Sequence, residues 1–173
     1  MTVLVGKYMG ASPSKGHTYS WIPNHLADAM GRVSPRSFLV AFAVAARWTG
    51  QRGGAERVAP RPLSPAALGE GVKAASEQRV VELAEGFEWI NEVSARLEGL
   101  EVPSLESKVI QRLSECIFQS PPASLRSTEP SIILQQLREI GVFLRNSDGR
   151  YNVPDLYRVA MRMKRRGGIK LAR

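Results

Sequence analysis

The stretch from Glu129 to Val153 constrains this chain more than any other. Glu129-Pro130 opens a helix, because proline at the first helical position has no hydrogen bond to lose. Ile132, Ile133, Gln136, Leu137 and Ile140 follow at the spacing of one inward-facing side. Gly141 is placed to end that helix in the left-handed conformation that glycine adopts without strain. Val142-Phe143-Leu144-Arg145 and Arg150-Tyr151-Asn152-Val153 then flank Asn146-Ser147-Asp148-Gly149. Asp-Gly between two β-prone runs signals a hairpin. A capped helix that stops on glycine and runs straight into a hairpin predicts the third helix and wing of a winged helix.

The flanks extend this module to about residues 101–163. Leu105, Val109, Ile110, Leu113 and Ile117 form an apolar stripe for its first helix. Ser120-Pro121-Pro122-Ala123 is a turn, with a short second helix expected near Ala123–Arg126. Pro154-Asp155 starts a last helix, expected to run to about Met163.

Upstream, about residues 1–100 read as a helical part packed on the winged helix. Trp21 to Met30 forms a short helix with Pro23 in its first turn and Gly31 at its end. Ser34-Pro35 and Ser64-Pro65 repeat a cap-plus-proline start, since a serine hydroxyl accepts from an orphan amide at a helix N-terminus. Phe38, Leu39, Phe42, Ala43 and Ala46 mark the face of the helix after Ser34. Leu68, Val72, Ala75, Arg79 and Leu83 mark that of the helix after Ser64, and Trp89, Ile90, Val93 and Leu97 that of another. Residues 49–63, rich in Gly, Pro and Arg, read as an exposed loop. The fold class expected is mainly α, with a small α+β winged-helix module.

The chain of 173 residues is long enough to bury a core without staples. Its single cysteine, Cys116, excludes an internal disulfide and points to a reducing compartment. No apolar run approaches the roughly 18 residues of a membrane span, and the start MTVLVGKYMG is too short and glycine-rich for a signal peptide. The reading is cytoplasmic, with no membrane contact.

The net charge of +8 is unevenly placed. Arg158, Arg162, Lys164, Arg165, Arg166, Lys170 and Arg173 close the chain with no acid among them. Setting these seven aside leaves 17 of the 24 Lys+Arg against 16 Asp+Glu. The body is therefore nearly neutral, and residues 164–173 read as a basic, flexible tail. Such a tail either aids solubility or meets phosphate or an acidic partner.

Enzyme signatures are missing. One Cys and two His do not make a standard structural zinc site. His25 and Asp28 share a helix face, but no Gly-x-Ser-x-Gly turn supplies a nucleophile. His25 and His17 read as surface or capping residues. Gly6-Lys7 and Ser14-Lys15-Gly16 are incomplete as phosphate-cradling loops. The expectation is no enzymatic activity and no cofactor.

Tyr19-Ser20-Trp21-Ile22-Pro23-Asn24-His25-Leu26-Ala27-Asp28, followed by Ser34-Pro35-Arg36-Ser37-Phe38-Leu39, resembles the region just after the nucleotide-binding core in bacterial P-loop ATPases of the AAA+ and STAND-like kind. Gly149 to Tyr157 is similar to the wing and closing helix of that region. The resemblance implies a helical lid followed by a winged helix, with Arg36 similar to a sensor arginine. The ATPase core itself is absent from the sequence, so Arg36 would serve that role only toward a core on another chain.

In a winged helix-turn-helix the third helix enters the major groove and the wing touches phosphates or the minor groove. Gln135 and Arg138 are the third-helix residues suited to adenine and guanine edges. Arg126, Arg145, Arg150, Lys164, Arg165 and Arg166 are the candidate phosphate contacts. Arg138 is offset by Glu139 on the same helix, so a protein-docking surface stands beside the DNA reading. The partners expected are a P-loop ATPase core or another protein, and double-stranded DNA.

Overall fold

The computed structural model describes residues 2–9, 13–51 and 62–167. Most of the expected loop after Gln51, and the end of the expected tail, lie outside them. The elements run α1 (Thr2–Val5), a 3-10 turn (Pro13–Lys15), α2 (Thr18–Leu26), α3 (Pro35–Gln51), α4 (Pro65–Gly86), α5 (Ile90–Leu97), β1 (Glu101–Val102), α6 (Glu106–Ser114), α7 (Pro130–Glu139), β2 (Leu144–Arg145), β3 (Tyr151–Asn152), α8 (Asp155–Arg158) and β4 (Lys164–Arg165). The protein is mainly helical, with a small antiparallel hairpin, as the sequence predicts.

α3 and α4 form the largest helix contact of the N-terminal part, and small residues bring them together. α3 buries Ser37, Ala41 and Ala45, while α4 buries Ala67, Gly71 and Ala75 among others. Ser64 caps α4 as expected, its hydroxyl accepting from the Ala67 amide at 3.1 Å. The apolar faces of α2, α4, α5, α6, α7 and α8 join one continuous core from Val5 to Met163, with Trp89, Tyr157 and Phe143 among its largest enclosed side chains.

The C-terminal part has the order strand, two helices and hairpin, then α8 and β4. β2 pairs with β3 antiparallel, and Ser104 bridges Tyr151 so that the segment after β1 also joins the hairpin. From β1 onward the order is strand, α6, α7 and hairpin, a small winged-type module whose first helix, α6, carries the Leu105, Val109, Ile110 and Leu113 stripe. The short helix expected near Ala123–Arg126 is a turn. Pro121 and Pro122 supply no amide hydrogens, and the bond from the Leu125 amide to the Pro122 carbonyl is a single turn. Gln136 of α7 holds this turn from inside: its Oε1 accepts from the Arg126 amide at 3.0 Å and its Nε2 donates to the Ser124 carbonyl at 3.1 Å.

Gly141 ends α7 at φ +83°, and its carbonyl accepts from the Ala29 amide at 2.8 Å. The turn after α2 is thereby fastened to the end of α7. Asp28, buried there, receives the Met30 amide at 2.8 Å and the Arg32 amide and Nε at 2.9 Å each.

The last helix stops at Arg158, well short of Met163. Arg162 takes a left-handed φ of 52°, and the chain turns back as β4, parallel to β1. The Lys164 amide donates to the Leu100 carbonyl at 2.9 Å and the Arg166 amide to the Val102 carbonyl at 2.8 Å. Lys164–Arg166, expected to begin a flexible tail, are instead main-chain partners of the β1 segment. Among the described residues no helix is long and apolar enough to cross a membrane.

Candidate nucleic-acid interface

The outward side of α7 carries Ser131, Gln135, Arg138 and Glu139, because Ile133, Leu134, Gln136 and Leu137 turn inward to the core. Ser131, Leu134, Gln135, Arg138 and Glu139 line a groove of about 480 Å³ with Glu106 of α6 and Tyr151 of β3. The sequence-predicted residues Gln135 and Arg138 thus lie in one concave surface.

Tyr151 is the organising residue that sequence reasoning missed. It is 4% exposed, and the Arg138 and Arg145 guanidiniums sit 6.0 and 5.9 Å from its ring centre. A guanidinium at that distance from an aromatic ring is attracted by the ring's quadrupole while keeping its donors available. Arg145 also approaches the Gly149 carbonyl at 3.4 Å. Neither arginine has a carboxylate partner among the described residues. The alternation of β3, with Tyr151 in and Asn152 out, was the only sequence signal for this role.

The other candidates are more engaged. Arg126 Nη2 lies 2.7 Å from Glu139 Oε2, and Gln135 Nε2 donates to Glu139 Oε1 at 3.0 Å. The Arg126 bond, then the Gln135 bond, hold the Glu139 carboxyl below its ordinary range. Arg150 lies 3.7 Å from Asp148 in the turn. Arg126, Gln135, Arg138, Arg145 and Arg150 therefore occupy α7, the turn before it and the hairpin. Lys164, Arg165 and Arg166 belong to the β1 side. Arg166 lines a separate groove of about 560 Å³ with Lys108 and Arg112, while Arg165 Nη1 lies 3.7 Å from Asp155.

His25 joins α2 to α8. Its Nε2 is 3.3 Å from Asp155 Oδ2, its Nδ1 is 2.7 Å from the Trp21 carbonyl oxygen, and its ring stacks on Trp21 at 4.0 Å. Asp155 is shared with Arg158, whose Nε donates at 2.8 Å. The expected surface or capping histidine is thus a bridge between the two parts of the chain. No nucleophile is bonded to it among the described residues.

Arg36, the sensor-like arginine, is exposed in the first turn of α3. Its Nε lies 3.2 Å from Glu82 of α4, which also meets Arg79 at 3.4 Å. Among the described residues no group of three or more His, Cys, Asp or Glu gathers as a metal site.

No family model, curated protein or solved structure matches this chain.

Proposed function

We propose that the chain is a duplex-DNA docking module of the winged-helix kind, with α7 and the β2–β3 hairpin as its binding face. The observation that carries this reading is the pair Arg138 and Arg145. They come from two elements, converge on Tyr151 and keep their charges unneutralised by any described carboxylate. Arg126 and Arg150 flank them and would exchange their exposed pairs with Glu139 and Asp148 for phosphates. Exposed ion pairs of this sort are worth about 0–1 kcal/mol, so such an exchange costs little. Gln135 and Arg138 are the groups able to meet base edges. With only a handful of phosphate contacts, affinity is modest and falls with salt.

Fluorescence anisotropy with a labelled duplex at about 50 and 200 mM salt tests this. Arg145→Ala should lower the salt slope by about 1, for one lost phosphate contact, whereas Arg138→Ala should cost about 1–3 kcal/mol and relax the sequence preference. Absence of salt-dependent duplex binding would sink the proposal.

The second reading, docking on a protein such as a P-loop ATPase core, is favoured by the Arg126–Glu139–Gln135 chain. That chain neutralises part of the α7 face from within. On this reading Arg36→Ala impairs nucleotide hydrolysis only in the assembled complex, and normal hydrolysis by the variant complex argues against it.

A further inference from the structure

A second surface, at the N-terminal end, carries chemistry that the α7 face does not use. Residues 1–27 contain no Asp or Glu. Within them Tyr8, His17 and Tyr19 form a chain of rings, with centres 4.9 Å apart from Tyr8 to His17 and 5.4 Å from His17 to Tyr19. The Lys7 ammonium lies 5.3 Å from the Tyr8 ring centre. Lys7 and Lys15 are exposed, and neither meets a carboxylate among the described residues.

The backbone under these rings is held firmly. Tyr8 and His17 form an antiparallel bridge, the Met9 amide donates to the Gly16 carbonyl, and the Thr18 amide donates to the Lys7 carbonyl, each at 3.1 Å. Thr18 is buried where α2 begins. The next residue, Tyr19, is nevertheless 64% exposed. A large ring exposed on a fixed backbone, in a segment that carries Lys7 and Lys15 and no acid, offers an open stacking face. Aromatic side chains offer bases a face that is tolerant of sequence, and nearby lysines attract the phosphates. Because the platform is preformed, little ordering entropy opposes binding.

We propose that Tyr19, backed by His17 and Tyr8, with Lys7 over Tyr8 and Lys15 exposed in the same acid-free segment, is a binding site for a nucleotide unit, a base stacked on Tyr19 with its phosphate on the lysines. The unit comes from single-stranded nucleic acid or from a free mononucleotide. The site is independent of the duplex face on α7.

Anisotropy of the full chain with a labelled single-stranded oligothymidylate of about 12 nucleotides, beside calorimetry with AMP, tests it. Wild-type chain should bind the oligonucleotide, with affinity falling as salt rises. Tyr19→Ala should weaken binding about tenfold or more, the size expected for one lost stacking contact. Tyr19→Phe should retain it, and Lys7→Ala/Lys15→Ala should flatten its salt dependence. Lys73→Ala, an exposed cation on α4, should leave it unchanged. AMP binding with the same dependence on Tyr19, and no gain from the longer strand, assigns the free nucleotide as source. No binding of either probe overturns the proposal. So does binding that survives Tyr19→Ala but is lost in Arg138→Ala/Arg145→Ala, which would place the strand on α7.

Discussion

Gly71 of α4 lies against the backbone of Ala41 in α3, so closely that a β-carbon at position 71 would overlap the Ala41 carbonyl. The two helices therefore approach backbone to backbone at this point, which the missing β-carbon of Gly71 allows. Gly71→Ala should lower stability by about 1–3 kcal/mol, the cost of overpacking against backbone. Gly69, two residues earlier in α4, has nothing within 4 Å of its would-be β-carbon. Gly69→Ala should raise stability by up to about 1 kcal/mol through helix propensity and reduced unfolded-state entropy. Urea unfolding of both variants checks the contrast, and equal midpoints would refute it.

Gln136→Ala should cost about 1–3 kcal/mol, because the Ser124 carbonyl and Arg126 amide lose their partner while half enclosed. Faster hydrogen exchange at the Arg126 amide, with α6 amides unaffected, is the local signature. Unchanged exchange at Arg126 would mean that the turn is held by other contacts.

Asp28 gives stability a defined pH dependence. Burial raises its carboxyl pKa, but the Arg32 main-chain and side-chain bonds and the Met30 amide outweigh burial and hold it below the ordinary value. A depressed folded-state pKa means that its contribution is complete above the unfolded value near 4. That contribution is lost as pH falls through the lower folded value. Asp28→Asn should cost about 1.5–3 kcal/mol at pH 7, the scale of hydrogen bonds to a charged group. It should also flatten the urea midpoint against pH below about 4. A wild-type slope retained by the variant would assign the acid sensitivity elsewhere.

Cys116 should be a slow nucleophile although it is only half buried. Burial first, and then Glu92, push its thiol up to about 11, with Arg96 opposing. Since the thiolate is the reactive form, alkylation by iodoacetamide near neutral pH should lag well behind a free thiol of pKa about 8.5. The rate should climb steeply with pH up to that value. Rapid labelling at pH 7 would contradict the assignment.

Local structure was legible wherever its cause lies within one turn of chain. Ser64 caps α4 because the amide it accepts from is three residues away. Gly141 stops α7, and Asp148-Gly149 turns the hairpin, for reasons carried by those residues themselves. The same holds for the outward face of α7, where Gln135 and Arg138 follow from helical spacing.

Tertiary structure alone decided what these pieces meet. β1 and β4 are two residues each, too short for alternation to mark them, and they exist because distant segments supply each other's main-chain partners. That pairing removed Lys164–Arg166 from the expected tail. Tyr151 became the seat of Arg138 and Arg145, His25 the partner of Asp155, and Arg36 the partner of Glu82 through proximity that no periodicity encodes. Capping, glycine geometry and apolar spacing act locally, so α3 to α7, the Ser64 cap and the hairpin could be read from the chain, whereas the turn at Ala123–Arg126 and the early end of α8 could not. Only the packed chain decided which arginines retain unpaired charge, because ion pairing depends on what the fold brings within about 4 Å.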